Sequence, residues 1–581
     1  MRLVLAIISF ALAALMMGYG IAQRTILAGD DHLTATVETT SDAPITVIDG
    51  AVLNSFDRKQ TIAVSGAESN FAAYGRTSDV MAWVGDASYN SIGFDAEAKS
   101  LTSELVSGTE SEVPDPSGSD LWVADFREDT SLDFTIDVPE DISLIIVADG
   151  IAPAPSDVSV TWLLDNSTPF AFPLLIGGAV LLLVGLVLLL LAINHVRKAR
   201  GPRRKQAKLP RVPKPPAYRA ITSPKAGTPV AIGRGRRRGL IAVPAVLVGA
   251  LLLGGCTADP MSTLGSSATA VASDEATEGV PQQITAVTVP QAKRIVARIA
   301  SDVAAADAAG DPALLAARMD GPALALRTTN YAIRKVDAAT VLPAPIPSEP
   351  VRITLPQQND SWPRTVFIVL QDENDTSVAP TALMLIQDNP REQYKAHYAL
   401  QLEPGAVIPN VAPANVGTNR LDADSRLLAI APETIGVNYA DVLMNDVDSA
   451  FVDLFDTESD LLRVQVGRAV KQTRIAATPG TASLTFATTV GTGPVIALAT
   501  NDGGAIVALS LDERETIVPV EQGAAVNAPP QVAAIIGKTQ STKGLSAVYS
   551  DQVLFFVPGV DKGGKIILLG YSQGLTTAAE L

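Results

Sequence analysis

Apolar residues are distributed unevenly along the chain, and three long apolar stretches interrupt an otherwise mixed sequence. Two of them, within residues 1–22 and 169–193, are nearly uncharged over enough residues to cross a bilayer as helices. The third, at residues 239–255, is shorter and contains Pro244. The pattern predicts a membrane helix or signal anchor at residues 1–22, a second membrane helix at residues 169–193, and either a third helix or a lipoprotein signal at residues 239–255.

The positive charge of the chain is concentrated in one segment, and this fixes the expected orientation. Residues 194–238 contain fifteen Lys and Arg residues and no Asp or Glu, whereas the whole chain carries a formal charge of −17. The positive-inside rule places this segment in the cytoplasm, so residues 23–168 and 256–581 are expected to be extracytoplasmic. Its Pro-, Lys- and Arg-rich composition predicts a disordered linker that lies against anionic lipid of the inner leaflet. The acidic remainder argues against nucleic-acid binding.

Cys256 is the only cysteine of the chain, and it directly follows the third apolar stretch. The basic run RGRRRG, the apolar stretch and Leu253-Gly254-Gly255-Cys256 together resemble a bacterial lipoprotein signal with its lipobox. The resemblance implies cleavage before Cys256 and lipidation of its thiol; a third membrane helix with an incidental cysteine is the alternative. Residues 256–286 are rich in Ser, Thr and Ala and predict a flexible tether. A single cysteine also excludes intrachain disulfides.

Residues 23–168 consist of short alternating segments separated by turn-forming clusters. This pattern predicts an antiparallel β-sandwich of about eight strands. Trp83, Trp122 and Trp162 lie in these segments, and we expect them to pack in the core rather than to form a sugar-stacking platform. The acidic group around Asp115, Asp120, Asp125, Glu128 and Asp129 could supply oxygen ligands for Ca²⁺. It lacks the spacing of an EF-hand loop, so we expect solvated carboxylates and assign no metal ligand. The predicted strands are HLTATVET, PITVIDGAVL, KQTIAVSG, VMAWVGD, LWVADF, LDFTIDVPED, ISLIIVADG and DVSVTWLL.

Beyond the tether, helical periodicity is twice followed by alternating segments. In residues 287–430, Ile295, Ile299 and Val303 lie on one helix face, and four apolar strands follow. Residues 431–581 repeat this plan, so the pattern predicts two tandem α+β modules, each with helices on an antiparallel sheet. The element order of the first module resembles NTF2-like or cystatin-like folds, which implies a concave sheet and a pocket. The whole arrangement resembles uncharacterised actinobacterial envelope proteins and lipoproteins.

Residues 570–574, GYSQG, match the G-x-S-x-G pattern of serine hydrolases and resemble the version found in cutinases. An α/β-hydrolase needs its acid and its histidine after the serine, and Glu580 is the only acid that follows Ser572. Of the three histidines, only His397 shares a region with Ser572. We expect Ser572 to end the return strand of an antiparallel hairpin, with Gly574 starting a short polar tail. We therefore assign no catalytic residue.

These patterns predict a non-enzymatic cell-envelope protein or lipoprotein of the bacterial plasma membrane. Its extracytoplasmic domains are expected to bind an envelope protein, a glycan or a lipid-like ligand, without a cofactor. Histidine-based metal sites are disfavoured because the chain contains three histidines. The alternative is an extracytoplasmic glycan-active enzyme, a hydrolase or transferase, because paired carboxylates leave no spacing that a sequence reveals.

Overall fold

Two apolar helices form a unit of their own. They are α1 (Arg2–Thr25) and α4 (Ala171–Ala199). The computed structural model describes residues 1–27, 29–56, 59–164, 168–199, 285–371 and 377–581. In it, the two helices separate from a second unit, in which His32–Leu164 and the described residues from Thr285 onward belong together. Cys256, residues 239–255, nearly all of the basic segment and most of the tether lie outside the described residues.

α1 and α4 pack against each other through small residues. A Cβ at Gly178 would collide with the side chain of Met17, and a Cβ at Gly185 would lie 3.1 Å from the ring of Phe10. Glycine therefore allows the two backbones to approach closely, as is common between membrane helices. Most of the large apolar side chains of both helices point outward and are exposed. Both helices are long and apolar enough to cross a membrane.

Residues 32–164 form a sheet of eight described strands around a buried core. Their order is β1-β8-β3-β7-β2-β4-β5, with β6 beside β3. The long strand β3 pairs with β8 in its first half and with β7 in its second half, while β6 follows its other side. The strands are β1 (His32–Glu38), β2 (Ile45–Ile48), β3 (Gln60–Arg76), β4 (Tyr89–Asp95), β5 (Ser100–Val106), β6 (Ala124–Ile136), β7 (Ile142–Val147) and β8 (Asp157–Leu163).

This region differs from the sequence-based prediction in four respects. The β2–β4 pair is parallel, so the sheet is not purely antiparallel. The predicted strand VMAWVGD lies mostly in helix α3 (Thr77–Val84), and the end of the predicted strand PITVIDGAVL forms the short helix α2 (Gly50–Leu53). Strands β4 and β5 were not predicted. Val80, Trp83 and Val84 are buried at helical spacing against the sheet, and this packing overrides their strand propensity. All three tryptophans of this region are buried in the core, as expected.

The C-terminal part of the chain is α+β, as predicted, but its strands belong mainly to one continuous sheet. The described strands follow the order β13-β15-β16-β19-β20-β12-β11-β10-β9, with β14 beside β16 and a separate β17–β18 pair. The strands are β9 (Val351–Pro356), β10 (Arg364–Leu370), β11 (Thr381–Gln387), β12 (Lys395–Leu402), β13 (Arg420–Leu421), β14 (Ala482–Val490), β15 (Ile496–Ala499), β16 (Ala505–Pro519), β17 (Val526–Asn527), β18 (Gln540–Ser541), β19 (Leu545–Val557) and β20 (Ile567–Glu580).

The helices of this part pack on the sheet in two groups. The first group begins at α5, where Thr288 and Gln291 form a capping box and Gly310 ends the helix at a φ of 60°. Ile295, Ile299 and Val303 are buried on one face, as their spacing predicts. The helices are α5 (Val289–Ala309), α6 (Pro312–Leu315), α7 (Gly321–Val336), α8 (Pro432–Asn445), α9 (Leu461–Val466), α10 (Arg468–Ala476) and α11 (Pro530–Ile536).

A two-residue seam joins the halves of the sheet. β12 and β20 pair only at Gln401 with Tyr571 and at Leu402 with Gly570. The two predicted helix-plus-sheet modules therefore share one sheet, in which β12 of the first module pairs with β20 of the second. Beyond these pairs the strands separate, and the separation leaves space beside β20.

Candidate ligand-binding cavity

A cavity of about 990 Å³ occupies the space between β12 and β20. Its walls come from elements that are distant in the sequence. Residues 399–403 of β12 and its end form one side, and residues 571–575 of β20 form another. Helix α7, the segment at residues 337–346 and the start of α11 complete the walls. The cavity therefore exists only because the sheet is continuous.

The G-x-S-x-G motif lies in the wall of this cavity, and its two glycines have packing roles. A Cβ at Gly570 would collide with the carbonyl oxygen of Gln401 and would lie 2.8 Å from the Cα of Leu402. A Cβ at Gly574 would lie 2.9 Å from the Cγ of Leu326 on α7. Because Gly570 has no side chain, β12 can pair beside it in the sheet. Because Gly574 has none, α7 can pack closely against it.

Ser572 is not placed as a hydrolase nucleophile. It lies within β20, where it is paired with Gln552 of the antiparallel strand β19. The expected hairpin is thus present, but β20 continues to Glu580, so the expected strand end at Ser572 and polar tail are wrong. Residues 572–580 pair with β19 as far as Leu545, and this pairing holds them in the sheet. Glu580 accepts hydrogen bonds from Lys538 and Ser541 and is occupied there.

His397 does not approach Ser572 and instead lies near Asp320 and Asp388. It lies four residues before Gln401 on β12, which corresponds to roughly 13 Å along a strand. Its Nε2 is 4.0 Å from a carboxylate oxygen of Asp320, and both ring nitrogens are buried without a hydrogen-bond partner. Asp388 completes a group whose possible ligand atoms all lie within 4.8 Å of one another. Sequence reasoning missed this group because its members are 68 and 9 residues apart along the chain and share no motif spacing.

Part of the cavity lining is apolar. Leu326 and Ile333 of α7 belong to it, together with prolines and aliphatic residues from the two neighbouring segments. Leu400, Leu402 and Leu575 add apolar surface from the sheet. Such a surface favours a ligand with an aliphatic part, since burial of apolar surface is the main attraction for a non-polar group. The aliphatic and proline residues of the neighbouring segments are Val341, Leu342, Pro343, Ile346, Pro529 and Pro530.

The lining is also rich in uncharged polar side chains. Gln401, Gln465, Gln552 and Gln573 line the cavity beside the hydroxyls of Tyr571 and Ser572. Gln552 on β19 accepts a hydrogen bond from the backbone N–H of Ala399 on β12 at 2.9 Å, so its side chain links these two strands. The amides and hydroxyls supply both donors and acceptors. Gln401 lies on β12 and Gln573 lies on β20, and these two strands meet only through the seam.

Three charged residues also line the cavity, and two of them are held by nearby groups. Arg327 pairs with Asp307 at 2.7 Å, so its charge is compensated. Asp337 accepts the backbone N–H of Ala339 in a turn. The third is Glu403, whose carboxylate accepts the backbone N–H of Leu461 at 2.9 Å. Burial raises the pKa of Glu403 to about 7, so this group is partly protonated at neutral pH.

Behind Glu403, further carboxylates are buried under the second group of helices. Asp460 accepts a hydrogen bond from the hydroxyl of Tyr439 at 2.8 Å, and burial raises the pKa of Asp460. Burial and the nearby Glu513 raise the pKa of Asp551 well above its usual range. Neither Asp460 nor Asp551 reaches the cavity wall. These carboxylates carry no motif spacing, so sequence reasoning did not find them.

The acidic residues considered for calcium binding have partners instead. Asp115 pairs with Arg127 at 2.6 Å within the same region. Asp120 pairs with Arg318 at 2.7 Å, and Arg318 belongs to the C-terminal part of the chain. The expectation of solvated carboxylates is therefore wrong for Asp120, which is buried.

Comparison with known proteins gives one match. A family model described as Domain of unknown function (DUF8094) matches residues 283–580, about half of the chain. No curated protein and no solved structure matches. The matched residues include every residue of the cavity wall.

Proposed function

We propose a function from the geometry, because the chain belongs to the DUF8094 family, which is described as a domain of unknown function. The protein is a membrane-anchored binding protein whose C-terminal part takes up an amphiphilic, lipid-like ligand. The observation that carries this proposal is the cavity of about 990 Å³, whose lining combines aliphatic side chains with uncharged amides and hydroxyls. Ligand sites in proteins commonly measure roughly 300–1,000 Å³, so the space suits a molecule of drug or lipid size.

The lining also favours a class of head group. Arg327 is neutralised by Asp307, and Glu403 is only partly ionised near neutral pH. An ionised head group would therefore find no uncompensated opposite charge in this wall, and burying it unpaired would be costly. Amides and hydroxyls pair well with sugar hydroxyls and with amides. We infer an uncharged head group of that kind on an aliphatic chain, as in a glycolipid.

Anchoring follows from the two apolar helices. We propose that α1 and α4 cross the bacterial plasma membrane, and that residues 23–168 and 256–581 are extracytoplasmic. The exposed apolar side chains of both helices support this, because water would not favour so large an apolar surface. The run of fifteen basic residues after the second helix supports the orientation. Lipidation of Cys256 would add a further anchor.

A glycan-active enzyme is the second candidate, and Glu403 is the observation that favours it. A carboxyl group with a pKa of about 7 on a cavity wall is suited to act as a general acid. Glycoside hydrolysis commonly needs a second carboxyl group across the substrate. Asp337 is the other acidic residue of the wall, and it is engaged in a turn. Binding therefore accounts for more of the lining than catalysis does.

The binding proposal can be tested with a fluorescent amphiphile. The full-length protein in lipid nanodiscs is titrated with a pyrene-labelled alkyl glucoside, and empty nanodiscs give the background. Saturable binding is expected, and Ser572→Trp should weaken it at least tenfold because the indole fills the cavity. Thr489→Trp, on exposed β14 outside the cavity wall, is the matched control and should bind normally. Equal binding by both variants would refute the proposal.

The same titration distinguishes the ligand classes. A pyrene-labelled fatty acid and a pyrene-labelled alkyl ammonium of equal chain length should bind more weakly than the glucoside. Release of glucose from the unlabelled alkyl glucoside, abolished by Glu403→Gln, would instead establish the enzyme. A preference for either charged probe would contradict the inferred head group.

A further inference from the structure

Several arginines of the C-terminal part reach into residues 32–164, and they form a buried charged interface. We propose that these two parts are permanent partners, which form one body on one side of the membrane and remain a complex when the chain between them is cut. The partnership itself does not depend on the cavity or its ligand. Its consequence for membrane topology rests on the anchoring given under the proposed function.

The pair between Arg364 and Asp79 is the most deeply buried contact of this interface. Arg364 on β10 donates to the carboxylate of Asp79 on α3 at 2.7 Å, and their side chains are 0% and 1% exposed. The guanidinium also lies over the ring of Trp362, 3.8 Å from its centroid. Arg76 holds the second oxygen of Asp79. Arg364 therefore has its carboxylate partner only while the two parts are together, whereas Asp79 also has Arg76 within its own part.

Asp120 forms a second buried centre. Its side chain is fully buried and accepts the guanidinium of Arg318 at 2.7 Å and the backbone N–H of Tyr394 at 2.8 Å. Arg298 of α5 approaches its other oxygen at 3.4 Å. All three donors belong to the C-terminal part. Without them, the carboxylate would have to be solvated, so the site is built for this partner.

Further side chains of the C-terminal part bind backbone carbonyls of the sheet domain. Arg391 donates to the carbonyls of Trp83 and Val84, which end helix α3, so its charge also complements the helix dipole. In the opposite direction, Arg76 donates to the carbonyls of Thr285 and Ala286. Further bonds run from Gln291 to Leu121, from Arg294 to Trp122 and from Arg298 to Gly118.

The charge of the two surfaces is complementary. Residues 23–168 contain 26 acidic and six basic residues, and they meet a face from which five arginines project. Transient interfaces keep most charges at a solvated rim, whereas this one buries them at its centre. Removing one member of such a pair leaves the other buried and unpaired, which is far more costly than losing a rim contact. These features are those of a lasting partnership.

The partnership has a consequence for the path of the chain. Residues 32–164 lie between the two membrane helices and hence on one side of the membrane, and α4 carries the chain to the other side. Residues from Thr285 onward bind residues 32–164 and must be on the first side. For the partnership to form, the segment between Ala199 and Thr285 has to bring the chain back to the first side, and its sequence contains one apolar stretch, residues 239–255. Cleavage before Cys256 would leave a two-chain complex.

The complex can be tested in the full-length protein with a protease site inserted between residues 270 and 271. After cleavage in detergent, the N-terminal fragment should remain bound to a tag at the C-terminus. Asp79→Leu strands the charge of Arg364 and should weaken retention by roughly 30-fold or more. Asp79→Leu combined with Arg364→Met removes both fully buried charges and should restore most of the retention, which shows that the single variant is not merely misfolded. Arg76 remains, but it is 18% exposed and keeps its bonds to the carbonyls of Thr285 and Ala286. Asp115→Asn, which breaks a surface pair outside the interface, is the control.

Dissociation of the wild-type fragments after cleavage would overturn the proposal, as would a single variant that behaves like the control. For topology, Ser107→Cys and Ala423→Cys are introduced separately with Cys256→Ser and labelled in intact cells by an impermeant maleimide. Both sites are exposed. Equal labelling supports a single body, and labelling of one site alone refutes it. Protection of both sites would refute the outward orientation but keep the partnership.

Discussion

Gly570→Ala is expected to destabilise the C-terminal part far more than Ser572→Ala, although Ser572 is the residue that the motif singles out. The added Cβ would lie 2.8 Å from the Cα of Leu402, whereas carbon atoms in contact prefer about 3.5 Å or more. β12 must therefore move away by about 0.7 Å. Hydrogen bonds across the seam would lengthen beyond a normal donor–acceptor distance.

The magnitude follows from the shortness of the seam. β12 and β20 pair at only two positions, so the shift loosens up to two hydrogen bonds, worth about 1–3 kcal/mol in all. Overpacking commonly adds about 1–3 kcal/mol, and we expect a total near 2–4 kcal/mol. For a part of roughly 300 residues, this corresponds to a melting temperature lower by about 3–6 °C. The flexible side chain of Leu326 can yield to Gly574→Ala, which should cost under about 1 kcal/mol.

The assay is thermal unfolding of the three alanine variants, combined with the glucoside titration. Ser572→Ala should unfold within about 1 °C of the wild type and keep ligand binding, because it removes only a hydroxyl from the cavity wall. Equal melting temperatures for Gly570→Ala and Ser572→Ala would show that the seam does not hold the halves together. Loss of glucoside binding in a stably folded Ser572→Ala would show that the hydroxyl is essential to the ligand site.

Three further outcomes are expected. Because burial raises the pKa of Glu403 from 4.5 to about 7, the folded chain holds this proton more tightly than the unfolded chain; the resulting stability is present below pH 4.5 and lost as the pH rises through 7. Thermal unfolding should therefore show the wild type losing stability relative to Glu403→Gln between pH 5 and 8, and parallel curves would contradict this. Gly178→Leu should displace Met17 and speed hydrogen exchange in α1, whereas Gly18→Leu, where a Cβ meets nothing within 4 Å, should not; equal exchange would refute the packing. A C-terminally tagged chain in a bacterial host should shorten unless it carries Cys256→Ser or meets a lipoprotein signal-peptidase inhibitor, and an unchanged full-length band would exclude the lipoprotein.

The sequence predicts best those elements whose residues are neighbours along the chain. The capping box of α5 and the apolar spacing of Ile295, Ile299 and Val303 give the helix and its buried face. The four strands from β9 to β12 follow from short apolar runs. The segment around Trp83 was predicted as a strand because seven residues do not separate a helical from an alternating pattern. Its helix becomes evident only when the sheet beneath it is known.

The cavity and the interface could not be predicted, because both depend on contacts between distant residues. The cavity needs β12 to meet β20 and then leave it, and the two glycines that allow this resemble a catalytic motif. Asp79 and Asp120 are two acids among many in an acidic region, and nothing near them in the sequence marks Arg364 and Arg318 as their partners. Glu403 likewise acquires its raised pKa only through burial. Local patterns therefore gave the elements, and long-range packing gave the site.

The place of β20 in the sheet determines when the C-terminal part can finish folding. Its residues 567–580 are made after those of every other described strand of this sheet, yet the strand lies between β19 and β12 in the middle of the sheet. At 5–20 residues per second, a ribosome needs roughly 10–30 s to reach β20 after completing β12. During this interval β9–β12 form a half sheet with an open edge, which invites pairing with other chains. Chaperones that bind the emerging chain would have to cover that edge until β20 has been made and can pair with β12.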